Sequence, residues 1–232
     1  MTDADGWRLP EALVARIRQH HAGEAGPPAT PRAAATVALL RPAASGFEVY
    51  LLRRAASMAF ASGMYVFPGG SVDPADADAA VPSPDEWARR LGRPPEEAGA
   101  VVAAAMREVF EETGVRLRPE LLEPWARWIT PEFEARRFDT YFFVAALPEG
   151  EQPRDISGEA DQTLWISPAE AVAGYEAGEI AMLPPTIVLV RALSTYPDVA
   201  AVLRAAADRD AATPVTPRVE LSPDGTVRFL IS

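Results

Sequence analysis

Arg107-Glu108-Val109-Phe110-Glu111-Glu112-Thr113-Gly114-Val115 is the stretch on which the reading of this chain turns. Val102, Ala105, Met106 and Val109 recur at i, i+3, i+4 and i+7, so one stripe of a helix faces a core. Glu108, Glu111 and Glu112 stand at i, i+3 and i+4 and share a different face. Gly114 sits where a left-handed residue would close the helix. Three carboxylates therefore crowd the end at which the helix dipole is itself negative. Glu108 and Glu112 also repel as a like-charged i,i+4 pair, by roughly 0.2–0.5 kcal/mol. Such an arrangement makes chemical sense when a divalent cation neutralises it, and hard oxygen donors point to Mg2+ or Mn2+. A solvated acidic face is the plain alternative for any isolated cluster of this kind.

Working outward, Tyr65-Val66-Phe67-Pro68-Gly69-Gly70 reads as a short extended segment entering a turn. Adjacent glycines there let backbone approach a ligand closely. Ala33 to Leu40 and Val49 to Arg53 read as strands joined through Ala43-Ala44-Ser45-Gly46. Trp125 to Ile129, Phe138 to Ala146 and Leu164 to Ser167 read as further strands, with a polar loop over 149–162. Ser167-Pro168-Ala169-Glu170 opens a helix as a capping box with proline at its first position. More helices are expected near 11–20, 185–195 and 198–208. A hairpin is expected over 219–231, around the turn at Pro223-Asp224-Gly225. The loop at 130–140 holds Glu132, Glu134, Arg136 and Arg137: two guanidinium groups for phosphates and a carboxylate for a base or a metal, or else a solvated loop with internal ion pairs.

The totals exclude several classes. With 232 residues, nearly half of them apolar, the chain is long enough for one sizeable domain with additions or two small ones, and can bury a packed core. A net charge of −11 argues against a protein that coats nucleic acid. The absence of cysteine excludes disulfides and zinc–thiolate sites and fits a reducing, cytoplasmic setting. No signal-like segment and no apolar run long enough for a membrane span is evident. His20 and His21 read as surface residues.

REVFEETGV resembles the second half of the Nudix box, G-x5-E-x7-R-E-U-x-E-E-x-G-U, with U bulky and apolar. Every fixed position after x7 is filled, and both U positions carry valine. FPGG at 67–70 resembles the entrance to the box. Between Gly70 and Arg107, however, lie about 23 residues more than the pattern allows. The extra stretch, about 74–95, reads as a surface excursion with one short helix near 84–91, a flap or self-association surface that would allow a homodimer. It also blurs the first acid of the box. Counting forward reaches Asp76, counting back reaches Gly99, and Glu96 and Glu97 lie nearby, so the position stays unassigned. AATVALLR at 34–41, LLRRA at 51–55, WITPEFEARRFDTYFF at 128–143 and WISPAEAVAGYEAGEIAMLPP at 165–185 extend the likeness to the Nudix branch with a long insertion, which includes the peroxisomal coenzyme A diphosphatases.

That resemblance implies an α/β fold: a Nudix-type α/β/α sandwich with a mixed, curved sheet, plus extra N-terminal and C-terminal helices. It divides the chain into an N-terminal helix and linker (1–32), a hydrolase domain (33–195) and a C-terminal helix and hairpin (196–232). It implies a metal shell of Glu108, Glu111, Glu112 and a carbonyl of Gly69 or Gly70, with Mg2+ or Mn2+ as cofactor. Glu111 and Glu112 would be catalytic, and Glu159, on the loop before the strand at 164–167, would supply a further metal-binding or basic carboxylate, with Glu132 and Glu134 as second choices. Arg107 and Gly114 would be structural. Arg53, Arg54, Arg136, Arg137 and Glu132 would meet the substrate, a small nucleoside diphosphate derivative and neither nucleic acid nor membrane. For coenzyme A the family carries L-L-T-x-R, S or A, x3, R, x3, G, x3, F-P-G-G. Here Arg54, Ala55 and Gly63 match, while Tyr50, Leu52 and Ala59 depart. Coenzyme A or acyl-coenzyme A is thus the expected substrate. ADP-ribose or a dinucleotide is the alternative, and a non-cleaving nucleotide sensor is the alternative of another class. The chain ends Leu230-Ile231-Ser232, so peroxisomal targeting does not carry over.

Overall fold

A computed structural model describes residues 11–24, 26–55, 61–222 and 227–230. Along the chain, α1 (Glu11–His21) precedes β1 (Arg32–Pro42), β2 (Phe47–Arg54), β3 (Tyr65–Val66) and β4 (Gly69–Ser71). A 3-10 turn (Pro74–Asp78), α2 (Pro84–Leu91) and α3 (Pro95–Thr113) follow. Then come β5 (Glu123–Ile129), β6 (Phe138–Ala146), β7 (Ala160–Ile166), α4 (Pro168–Ala177), α5 (Pro184–Leu193) and α6 (Val199–Ala206). The chain closes with β8 (Pro214–Val215), β9 (Arg218–Leu221) and β10 (Val227–Leu230). Among the described residues, no helix is long and apolar enough to cross a membrane.

The main sheet runs β3-β2-β1-β6-β5-β8, with β4 on β1 and β7 on β2. It is mixed: β1–β6 and β5–β8 pair parallel and the other neighbours antiparallel. β1 is apolar along nearly its whole length because both faces are covered. Ala35, Val37 and Leu39 face α2 and α3, whereas Ala38 and Leu40 face the layer built from α1, α4, α5 and α6. This alternation yields the expected α/β/α sandwich.

The sheet also forks. One edge of β1 is held throughout by β6. Its other edge is shared, with Ala34–Thr36 on β4 and Leu40–Pro42 on β2. β2 leaves β1 after Val49 and continues against β3 and β7. The mouth of the fork lies beside Gly69 and Gly70.

Several expectations need correction. The glycine pair is part of strand β4 instead of an open turn. β7 starts at Ala160, inside the span read as a polar loop, because it pairs with β2 as far back as Arg54. β8 was not foreseen; two residues give no periodicity to detect. The insertion is no mere surface excursion: Trp87 and Leu91 of α2 are buried in the core on α3 and β6. At its end Arg93 pairs with Asp139 on β6 and donates to Tyr141 Oη at 3.0 Å. In the C-terminal segment α6 enters the core and β8 extends the sheet. β9 and β10 pair antiparallel as the hairpin requires, while its turn at Pro223-Asp224-Gly225 lies outside the described residues.

Candidate active site

Helix α3 begins at Pro95, a first-turn position where the missing N–H costs nothing, with Glu96 and Glu97 at the positive end of its dipole. From Ala98 to Ala105 every residue is buried. The small side chains let α2 and the 3-10 turn close over one side while β1 packs on the other. Gly114, at φ 75°, closes the helix and donates to Phe110 O at 2.8 Å. The helix therefore carries its acids out of the core and stops.

The three glutamates share a helical face but not an environment. Glu111 is 54% exposed and Glu108 only 16%, both by side chain. Glu112 is buried at 7%. What covers it is β4: Gly69 N–H donates to Glu112 Oε2 at 2.9 Å. Gly70 lies flat against Glu108, so close that a methyl there would stand 2.5 Å from Glu108 Oε1. Two anchors hold this strand in place. Thr36 Oγ1 and Val37 N–H both donate to Pro68 O, at 2.8 and 2.9 Å. Thr36 was missed in the sequence, where a polar residue inside AATVALLR is the one available signal.

Arg107 fixes the other side. Its Nε and Nη2 grip Asp76 Oδ1 and Oδ2, each at 2.9 Å, and Nη2 also reaches Ser71 O at 2.9 Å. Nη1 donates to Glu108 Oε1 at 2.9 Å and Glu111 Oε2 at 3.0 Å. The bidentate bond with Asp76, ahead of the bonds to its own helix, pushes the guanidinium pKa further up. The acid left unassigned by counting, where it meets Arg107, is thus Asp76. It is nearly fully buried, and its carboxylate also accepts from Asp73 N–H at 2.8 Å.

Burial sets the electrostatics. It pushes Glu108 above the usual carboxylate range, against the pull of Arg107. It pushes Glu112 up to about 8, the Gly69 bond and Arg54 opposing, Glu108 and Glu159 adding repulsion. Glu159 stands with Glu112 and Arg54 on the wall of one small pocket. It is set there by the loop before β7, whose Arg154 and Ile156 N–H groups donate to the last carbonyls of α3, Thr113 O at 3.0 Å and Glu112 O at 3.2 Å. Glu159 O in turn accepts from Ala55 N–H, next to Arg54, at 2.9 Å.

Other candidates divide. Arg54 and Arg136 line a cleft of about 360 Å3 that runs from Gly69, Gly70 and Ser71 towards Leu183. Arg53 is not brought there; its Nε donates to Asp161 Oδ1 at 2.6 Å. Arg137 binds main-chain carbonyls, Thr130 O and Ala29 O, both at 2.9 Å. Glu132 lines a separate hollow with His20 and His21, and Glu134 pairs with Arg16 of α1.

Among the described residues, no three acidic or imidazole side chains stand grouped to hold a metal. Arg107 gathers Glu108 and Glu111, while Glu112 turns to Gly69. The donor chemistry nevertheless fits a hard divalent cation. All donors are carboxylate or carbonyl oxygen, and the burial that holds Glu112 near 8 is the penalty a cation would relieve.

Comparisons with known proteins point to one family. The acyl-coenzyme A diphosphatase NUDT19 of Homo sapiens is 27% identical over 270 aligned positions, covering 82% of this chain and 69% of that protein. Its Gallus gallus counterpart is 24% identical, covering 60% of this chain and 59% of its own length. A Nudix hydrolase structure from Alicyclobacillus acidocaldarius superposes with a TM-score of 0.64 at 26% identity, over 80% of this chain and 99% of that one. The NUDIX domain model matches residues 30–184, a span that takes in both the glycine strand and the acidic helix; the chain belongs to the Nudix hydrolase family.

Proposed function

We propose that the protein hydrolyses the diphosphate linkage of a nucleoside diphosphate derivative, with coenzyme A or an acyl-coenzyme A as substrate, giving 3′,5′-ADP and (acyl-)4′-phosphopantetheine. The observation that carries the reading is Glu112: a carboxylate buried near Glu108, sharing a small pocket with Arg54 and Glu159, under a glycine strand that itself borders the cleft lined by Arg54 and Arg136. A purely structural position would not keep an acid there at such cost. The likeness to acyl-coenzyme A diphosphatases over most of the chain supports the choice of substrate.

Glu108, Glu111 and Glu112, with a carbonyl of Gly69 or Gly70, would hold Mg2+ or Mn2+. When bound, the ion supplies charge neutralisation for the diphosphate and a lowered pKa for water. Arg54 and Arg136 bind and orient the phosphates. Glu159 accepts the proton of the attacking water as its oxygen bonds to one phosphorus; the bridging P–O bond breaks and the electron pair leaves with the second phosphate. Arg107 holds the two outer glutamates without touching substrate.

Mass spectrometry of products from a mixed panel of coenzyme A, ADP-ribose and dinucleotides tests the reading. Wild-type protein should release 3′,5′-ADP in the presence of Mg2+, and Glu112→Gln should lower turnover by roughly a hundredfold, as for loss of a major stabilising contact to transition-state charge. Tenfold preference for ADP-ribose over coenzyme A would replace the proposed substrate. Full activity in EDTA together with an unimpaired Glu112→Gln would remove the metal reading.

A further inference from the structure

The cleft that Arg54 and Arg136 line does not end at Leu183. Thr130, Thr140, Phe142, Leu183 and Pro185 line both the cleft and a second cavity, of about 140 Å3, so the two form one trough. The second cavity is almost wholly apolar, walled by Trp128, Ile129, Phe133 and Pro217. Its few polar groups are largely taken. Thr130 Oγ1 accepts from Phe138 N–H at 3.0 Å, and Thr130 O accepts from Arg137 Nε at 2.9 Å. The Glu134 carboxylate is paired with Arg16 at 3.1 Å. Phe133 is half-buried and stands edge-on to His20, with ring centroids 6.4 Å apart, so α1 backs the outer wall.

A nucleobase buried here would leave the polar groups of its edge without partners, and a site for a base must supply those partners. A phosphate or ribose would fare worse. The chemistry that fits is a chain of methylenes, entering from the end of the trough where the diphosphate is expected.

We infer that this slot receives the alkyl tail of an acyl thioester carried on the non-nucleotide arm of the substrate, so that acyl-chain length sets the rate. The inference rests on the proposed diphosphatase reading and narrows it to acylated substrates. Each methylene taken from water into the slot should raise kcat/KM by about three- to fourfold until the slot is full.

The test uses the full chain with Mg2+ and compares coenzyme A, its acetyl, hexanoyl and decanoyl thioesters, and ADP-ribose. Hexanoyl should exceed acetyl by at least about tenfold. Ile129→Trp fills the slot from the end of β5, and Phe133→Ala removes its outer wall. Both should bring the hexanoyl-to-acetyl ratio towards one. That ratio is internal to each preparation, so partial misfolding of a variant divides out. A flat chain-length profile in an enzyme that cleaves coenzyme A overturns the slot and leaves the diphosphatase reading standing. A steep profile that neither substitution alters also overturns it. Cleavage of ADP-ribose alone sinks the coenzyme A reading itself, and the slot assignment with it.

Discussion

Gly69 and Gly70 are neighbours, yet a methyl group would meet different matter at each. At Gly69 it would lie 2.4 Å from Ala35 O and 2.6 Å from Thr36 Cα, both of them backbone in the next strand. At Gly70 it would meet the tip of the Glu108 side chain. Gly69→Ala should therefore destabilise the fold by about 1–3 kcal/mol. Gly70→Ala should melt close to wild type but lower kcat/KM roughly ten- to a hundredfold by displacing Glu108. Thermal melts beside rates on one diphosphate check the contrast; equal destabilisation by both would end it. Asp76→Asn removes the charge facing Arg107. Breaking a buried pair costs about 3–5 kcal/mol, and the partial exposure of Arg107 with its two remaining acids puts this case near the lower figure. A shift in the urea midpoint measures it. Counting forward reached Asp76 and counting back reached Gly99, because the insertion lies between Asp76 and Arg107; the count alone could not choose, and the bond to Arg107 does. Arg136 and Arg137 were equally illegible as a pair. Sequence puts them side by side, whereas the course of the loop sends one to the cleft and the other to carbonyl groups.

The helix α3 was the element most open to reading. Its apolar stripe, its acids and its glycine cap all follow from a 3.6-residue period and one conformational rule. Its buried acid did not follow. Periodicity says which face a residue shares, not what covers that face, and the covering strand β4 lies 43 positions upstream of Glu112. The cap offers a clean measurement. A methyl on Gly114 finds room, its nearest neighbour being Ile156 Cδ1 at 3.8 Å, so only the left-handed backbone resists it. Gly114→Ala should cost about 1 kcal/mol in urea denaturation, with little change in activity. A cost several times larger would mean that the docked loop before β7 tolerates no adjustment.

For the molecule as a whole, the layered sandwich was legible from alternating burial in the strands and from capped amphipathic helices. The fork in the sheet was not, because one strand sharing an edge between two partners leaves no trace in hydrophobic pattern. The role of the insertion was hidden for a related reason: its proline and aspartate content resembles a surface flap, while the residues that matter are Trp87, Leu91 and Asp76. Replacing 74–92 by a short Gly-Ser linker would uncover the core on α3 and strand Arg107. It should yield a protein that lacks a cooperative thermal transition. A soluble, sharply melting deletion variant would show that α3 needs no cover.

Glu112 accepts from Gly69 through its side chain and from Ile156 through its carbonyl, while Arg107, one and a half turns earlier, holds Asp76. These closures span 31 residues or more. Each must overcome the entropy of bringing distant segments together, and none is rewarded until its partners are also in place. During refolding the catalytic apparatus should accordingly be among the last things to exist. Regain of activity becomes a clock for completion of the native state, running behind any signal from helix formation. For the same reason no fragment ending before the loop at 154–159 contains a working site in miniature.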